Sequence, residues 1–146
     1  MTDWNPLTVW FYEECYVRFS AGDYDTSKLD NKFIHLTNNS VTKHNKEDAN
    51  EEIEGNMWTC QAFEDHLKSL DPNGGNIFQE KIKPSMKKTV VWSLESVQDM
   101  IENKKNSVEL YGYDFMVDEN FNVWLIEINS SPAMDYSTVM KPSRES

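Results

Sequence analysis

Apolar and polar positions along the chain change period several times, and each change marks an element. Ile82, Met86, Val90, Leu94, Val97 and Ile101 fall three or four apart, the spacing of one helix face that packs on a sheet. Pro84 fits this helix only within the first turn, where its missing N–H is not required. Phe63, Leu67 and Leu70 predict a shorter helix with Thr59 as N-cap and Asp71, Pro72, Asn73, Gly74 and Gly75 as its terminator. Elsewhere the pattern shortens to strands. "LTVWFYEECYVRF" predicts strands at 7–12 and 15–19 joined at Glu13 and Glu14, and "ELYGYDFMVDENFNVWLIEIN" predicts a hairpin of 110–117 and 121–129. Residues 23–31 are polar and turn-like, and 45–55, "NKEDANEEIEG", read as an acidic surface loop. The expected class is α+β, mainly antiparallel sheet with packed helices.

The hairpin carries the first candidate chemistry. By alternation Val123, Leu125, Glu127 and Asn129 share one face. Trp124, Ile126 and Ile128 share the other and, with Tyr113 and Phe115, are expected to face the helices. With Glu119 and Asn120 as the loop, Asp118 opposes Phe121 and Asp114 opposes Leu125. Asp114 then lies diagonal to Glu127 on the same face, at roughly 7–8 Å. A loop one residue longer or shorter would send it to the other face. Asp114, Glu127 and Asn129 thus converge as oxygen donors at a strand end, before Ser130, Ser131 and Pro132 leave the ladder. Mg²⁺ suits such a set, because it takes oxygen ligands and commonly uses one or two carboxylates with water and phosphate. Taken alone, a Glu and an Asn two residues apart are more often a solvent-facing strand end. A calcium loop beginning at Asp118 is excluded by Val123 at its sixth position and Asn129 at its twelfth.

Charge narrows the partners. The chain has 146 residues and a net charge of −11, which argues against nucleic acid and anionic membranes, since both require clustered Lys and Arg. Cys15 and Cys60 lie in no metal-binding spacing, the first residues lack a secretory pattern, and a reducing intracellular location is the expectation. No apolar run reaches membrane-spanning length. "PNGG" is not followed by the Lys-Ser/Thr of a phosphate loop, and nothing places the three His beside a nucleophile. Lys81, Lys83, Lys87 and Lys88 form the best basic cluster, which reads first as a solvated helix face.

Two further stretches hold polar groups beside apolar strands. Arg18 in "YVRFS" offers a planar fork suited to phosphate or carboxylate, although alone it reads as an edge-strand Arg packed on Tyr16. In "NKFIHLTNNSVTKH", His35, Thr37, Asn38, Asn39 and Ser40 follow apolar Phe33 and Ile34. They could contact a nucleotide or form an ordinary turn.

Together "YVRFS", "NKFIHLTNNSV" and "ELYGYDFMVDENFNVWLIEINSSPAM" resemble the tubulin-tyrosine-ligase-like family. "DWNPLTVWFYEECYVRFS", "NMWT", "PSMKK" and "KNSVELYG" further resemble its monoglycylase branch. The resemblance implies an ATP-grasp fold and an ATP-dependent ligase. In that chemistry a Glu side chain in a tubulin C-terminal tail is phosphorylated, and glycine attacks the acylphosphate. It implies that Asp114, Glu127 and Asn129 hold Mg²⁺ and the ATP phosphates, that Arg18 lies near the transferred phosphate or acceptor, and that His35, Thr37 and Asn38 contribute to the nucleotide site. It also implies microtubules as partner, with a location in the cytoplasm, the cytoskeleton, and the axoneme of a cilium or flagellum. Residues 1–146 are expected to be the C-terminal part of the catalytic domain, an incomplete unit whose adenine-binding lobe lies upstream of Met1. Trp4, Trp10 and Phe11 would then be exposed. A glutamate ligase of the same family, a non-catalytic tubulin-binding module and an inactive fragment stay open as alternatives.

Overall fold

The computed structural model describes residues 1–20, 25, 27, 30, 35, 37, 57–70, 75–104 and 106–132. The acidic stretch 45–55 and Asn38 lie outside the described residues. The chain divides into two compact units, one of residues 1–13 and 66–134, the other of residues 14–65 and 135–146.

The first unit opens with a small hairpin, β1 (Asp3–Trp4) and β2 (Leu7–Thr8), turning at a cis Asn5–Pro6 bond. The expected pairing of 7–12 with 15–19 is not made. Tyr16–Arg18 instead pairs with a segment some forty residues downstream, a partner that local pattern cannot specify because strand pairing is non-local. Trp4 is 6% exposed and forms the core with Val90 and Leu94, and Phe11 packs against them. The expectation that Trp4, Trp10 and Phe11 stand exposed therefore holds for Trp10 alone, at 76%.

The long helical run begins earlier than its periodicity suggests. A π-turn, Phe78–Ile82, precedes α2, Lys83–Glu95, and the Lys83 amide donates to the Phe78 carbonyl, five residues back. Pro84 is the second residue of α2, in its first turn as expected, and the wider turn before it relieves the clash its ring would make with a carbonyl four residues back. After Glu95 the chain tightens into a 3₁₀ turn, Gln98–Met100, so Val97 and Ile101 fall outside α2. Ile82, Val90 and Leu94 are buried, each worth about 1.5–3 kcal/mol by transfer from water.

That stripe packs toward a second hairpin, β5 (Gly112–Val117) with β6 (Val123–Asn129). Tyr113 and Phe115 join the core beside Val90 and Leu94, and the Ser93 and Tyr113 hydroxyls share a 2.8 Å hydrogen bond. The lysines are more engaged than a solvated face would be. Lys83 and Lys87 both pair with Glu13, holding its carboxyl below the usual range, chiefly through the Lys83 hydrogen bond. Lys88 lies 4.4 Å from the Trp92 ring centroid, and Lys81 donates to the Asn120 carbonyl at 2.6 Å.

In the second unit β3 (Tyr16–Arg18) pairs antiparallel with β4 (Met57–Thr59). Helix α1 (Cys60–Leu70) follows directly, its residues 60–65 belonging to this unit and 66–70 to the first. Thr59 caps it as expected, its Oγ1 accepting the Ala62 amide at 3.1 Å. Leu67 is buried and Leu70 is 59% exposed. Small antiparallel sheets with two α-helices make the described chain α+β. Among the described residues, no helix is long and apolar enough to cross a membrane.

Candidate functional site

The hairpin loop is one residue longer than two. Phe121 adopts φ 60°, its amide donates to the Asp118 carbonyl, and the Asp118 amide donates to the Asn122 carbonyl. Glu119, Asn120 and Phe121 thus form a three-residue loop ending in a left-handed residue. That extra residue would turn Asp114 away from Glu127, but a bulge restores the phase. Phe115 pairs with Leu125 and Asp114 with Glu127, leaving Ile126 as the extra residue. Asp114 is therefore directly opposite Glu127 instead of diagonal to it, and Asn129 faces Gly112 two pairs further on. Directly opposed residues share a face and hold their Cβ atoms about 4.5–5.5 Å apart.

The longer loop also changes which apolar residues lie where. Trp124 pairs with Met116, two residues from Asp114, so it shares the face of Asp114 and Glu127 instead of the core face expected for it. Trp124 and Ile126 are 60% and 58% exposed, so the expectation that they face the helices is not met, whereas Ile128, 43% exposed, pairs with Tyr113 and shares its side, toward the helices. Tyr113 and Phe115 do face them.

Asp118 fixes the loop end of this face. Its carboxylate accepts from the Asn120 and Asn122 amides at 2.9 Å, the Asn122 side-chain amide at 3.0 Å and the Trp124 indole N–H at 3.1 Å. These donors, the Trp124 indole foremost, lower its pKa from 3.8 to about 2. At the other end, a Cβ on Gly112 would lie 3.1 Å from the Pro132 Cβ and 3.7 Å from that of Asn129, so glycine leaves room for the strand exit. Gly112, Asp118 and Trp124 were missing from the residues read as site candidates. A glycine inside a strand pattern was the available signal for the first, and an Asp followed by Asn at two and four residues for the second.

Asp114 and Asn129 are half-buried and Glu127 is exposed. Two carboxylates and an amide at one strand end are a hard-oxygen set that fits Mg²⁺, which needs no more than one or two carboxylates from protein. Among the described residues, no group of three or more His, Cys, Asp or Glu could hold a metal ion by itself. The other candidates belong to the second unit. Arg18 ends β3 opposite Met57, half-buried, with its guanidinium 5.4 Å from the Tyr16 ring centroid. His35 and Thr37 are half-buried.

An α+β chain with an opposed carboxylate pair on a hairpin is thus defined, and its family is shown: residues 1–143 match the tubulin-tyrosine ligase family, to which the chain belongs. It is 55% identical over 140 residues to tubulin glycylase 3C of Tetrahymena thermophila, covering 94% of this chain and 13% of that protein. It is 46% identical over 141 residues to the human protein monoglycylase TTLL8, and 43% over 143 residues to the human tubulin monoglycylase TTLL3. These matches cover 94% and 96% of this chain, and 16% and 18% of those proteins. The chain therefore spans less than a fifth of the length of these relatives.

Proposed function

We propose that this chain is part of an ATP-dependent carboxylate–amine ligase that joins glycine to glutamate side chains in tubulin C-terminal tails. In this reading residues 1–146 belong to the C-terminal portion of an ATP-grasp catalytic domain, and the protein works on microtubules in the cytoplasm, cytoskeleton and cilium. The observation that carries it is the direct opposition of Asp114 and Glu127, with Asn129 beside them, in a chain whose relatives are named glycylases.

Asp114, Glu127 and Asn129 would hold Mg²⁺ against the ATP phosphates, where the metal offsets phosphate charge. Arg18 would supply a positive fork for the transferred phosphoryl group or the acceptor carboxylate, and His35, Thr37 and Asn38 would contribute to the nucleotide site. Phosphoryl transfer asks for positioning and charge neutralisation more than for proton transfer, so carboxylates, metal and Arg are fitting equipment.

Calorimetric titration of the chain with Mg·ATP tests the site. Saturable heat is expected, and Asp114→Asn should abolish it. Absence of saturable binding by the unaltered chain would reject the nucleotide reading in favour of a tubulin-binding module or an inactive fragment. Incorporation of labelled glycine, and not labelled glutamate, into tubulin by the full-length protein tests the choice of amino acid.

A further inference from the structure

Cys15 and Cys60 are the only cysteines in the chain and no motif joins them. The fold does. β3 and β4 pair Arg18 with Met57, Val17 with Trp58 and Tyr16 with Thr59. One step further along that register lie Cys15 and Cys60, and the Cys60 amide donates to the Cys15 carbonyl at 3.0 Å. Residues bonded in this way across an antiparallel pair have Cα atoms about 5.5 Å apart, inside the roughly 4.4–6.8 Å range that disulfides span. Both cysteines are reduced and half-buried, within reach of a small oxidant. Thr59 caps α1 through the Ala62 amide, so Cys60 is fixed as the first helical residue, where the ladder meets the helix.

We propose that Cys15 and Cys60 form a dithiol site for reversible oxidation, closed into an intramolecular disulfide by a small-molecule disulfide such as oxidised glutathione. The thiolate of one cysteine attacks a sulfur of the oxidant, breaking its S–S bond and expelling one glutathione thiolate, which takes up a proton. The second cysteine, as thiolate, then attacks the protein sulfur of the mixed disulfide, forming the Cys15–Cys60 bond and expelling the second glutathione, which is protonated in turn. The protein loses two electrons and two protons, and oxidised glutathione gains both. The ring so closed runs from Tyr16 to Thr59 and contains Arg18, His35 and Thr37.

The test is equilibration of the reduced chain in glutathione redox buffers, in native buffer and again in urea, with acid quenching, thiol counting and peptide mass mapping. The native chain should yield a linked Cys15–Cys60 peptide at a level independent of protein concentration. Its closure constant should exceed that in urea by at least about tenfold, because the paired strands hold the two residues together before either reacts, whereas the unfolded chain must first close a long loop. Cys15→Ser and Cys60→Ser should each stop at a single glutathione adduct. Equal closure constants in native buffer and urea, stable double glutathione adducts on the native chain, or linkage only between molecules would overturn the proposal.

Discussion

Glu127→Gln should make the hairpin slightly more stable while removing its response to Mg²⁺. Asp114 and Glu127 are directly opposed, and like charges in that arrangement repel. At a charge separation of about 6 Å in water the repulsion is about 0.7 kcal/mol, and about half of it survives a Debye length of about 8 Å at physiological ionic strength. Glutamine keeps the shape and removes the charge, so the variant should gain about 0.3–0.7 kcal/mol, a rise in Tm of about 1–2 °C for a chain this long. Mg²⁺ reverses the order. At ten times its dissociation constant, a cation bound only by the folded state adds about 1.4 kcal/mol, so the unaltered chain should rise by about 3–6 °C and overtake the variant. Calorimetric melts in metal-free buffer, in MgCl₂ and in NaCl of matched ionic strength provide the comparison. A variant that melts lower without metal would refute the opposed-charge argument. Equal Mg²⁺ shifts in both proteins would refute the metal site.

Gly112→Ala should lower Tm by about 2–4 °C, because crowding against Pro132 at 3.1 Å costs about 1–3 kcal/mol and exceeds the roughly 0.5–1 kcal/mol that alanine gains over glycine in a strand; a higher Tm would contradict the close approach. The Asp118 carboxyl has its pKa lowered from 3.8 to about 2, so its contribution to the loop is complete above pH 3.8 and is lost as pH falls through about 2. The Trp124 indole N–H resonance, followed on acidification, should hold its folded position to about pH 3; a shift centred near pH 4 would argue against the hydrogen-bonded carboxylate. Arg18→Lys in the full-length enzyme should slow ligation on the order of 10- to 1000-fold with little change in Tm, since Lys keeps the charge and loses the bidentate fork. Unchanged turnover would return Arg18 to a packing role beside Tyr16.

What could be read in advance depended on how local its cause is. The buried stripe Ile82, Val90 and Leu94 and the Thr59 cap follow from neighbours within one or two helical turns, and both are present. The hairpin was legible as a pair of strands, while its register was not. A turn at Asp118–Asn120 fits a two-residue and a three-residue loop equally, and nothing in "WLIEIN" marks Ile126 as the bulged residue. Asp114 and Glu127 share a face only because the longer loop and the bulge each shift the phase by one residue and so cancel. Trp124, downstream of the loop but upstream of the bulge, receives the first shift without the second and arrives on the acidic face. The partner of β3 was beyond local reading, because Met57 and Trp58 are separated from Arg18 by a long intervening segment.

The helix behind the hairpin is fastened to it at two widely spaced points, Lys81 to the loop carbonyl of Asn120 and Ser93 to Tyr113 near the start of β5. Those helix positions are about 18 Å apart along the axis, nearly the length of the strands, so the π-turn and α2 together serve as a splint for the hairpin. Loosening one fastening should leave the other end in place, and the ladder would open from the end released. In amide exchange, Ser93→Ala should accelerate the amides near Tyr113 and Ile128 while those near Val117 and Val123 keep their protection, and Lys81→Met should give the opposite gradient. The carboxylate pair lies nearer the Ser93 fastening. A hydroxyl on the opposite side of the sheet would thus govern how long Asp114 and Glu127 remain together.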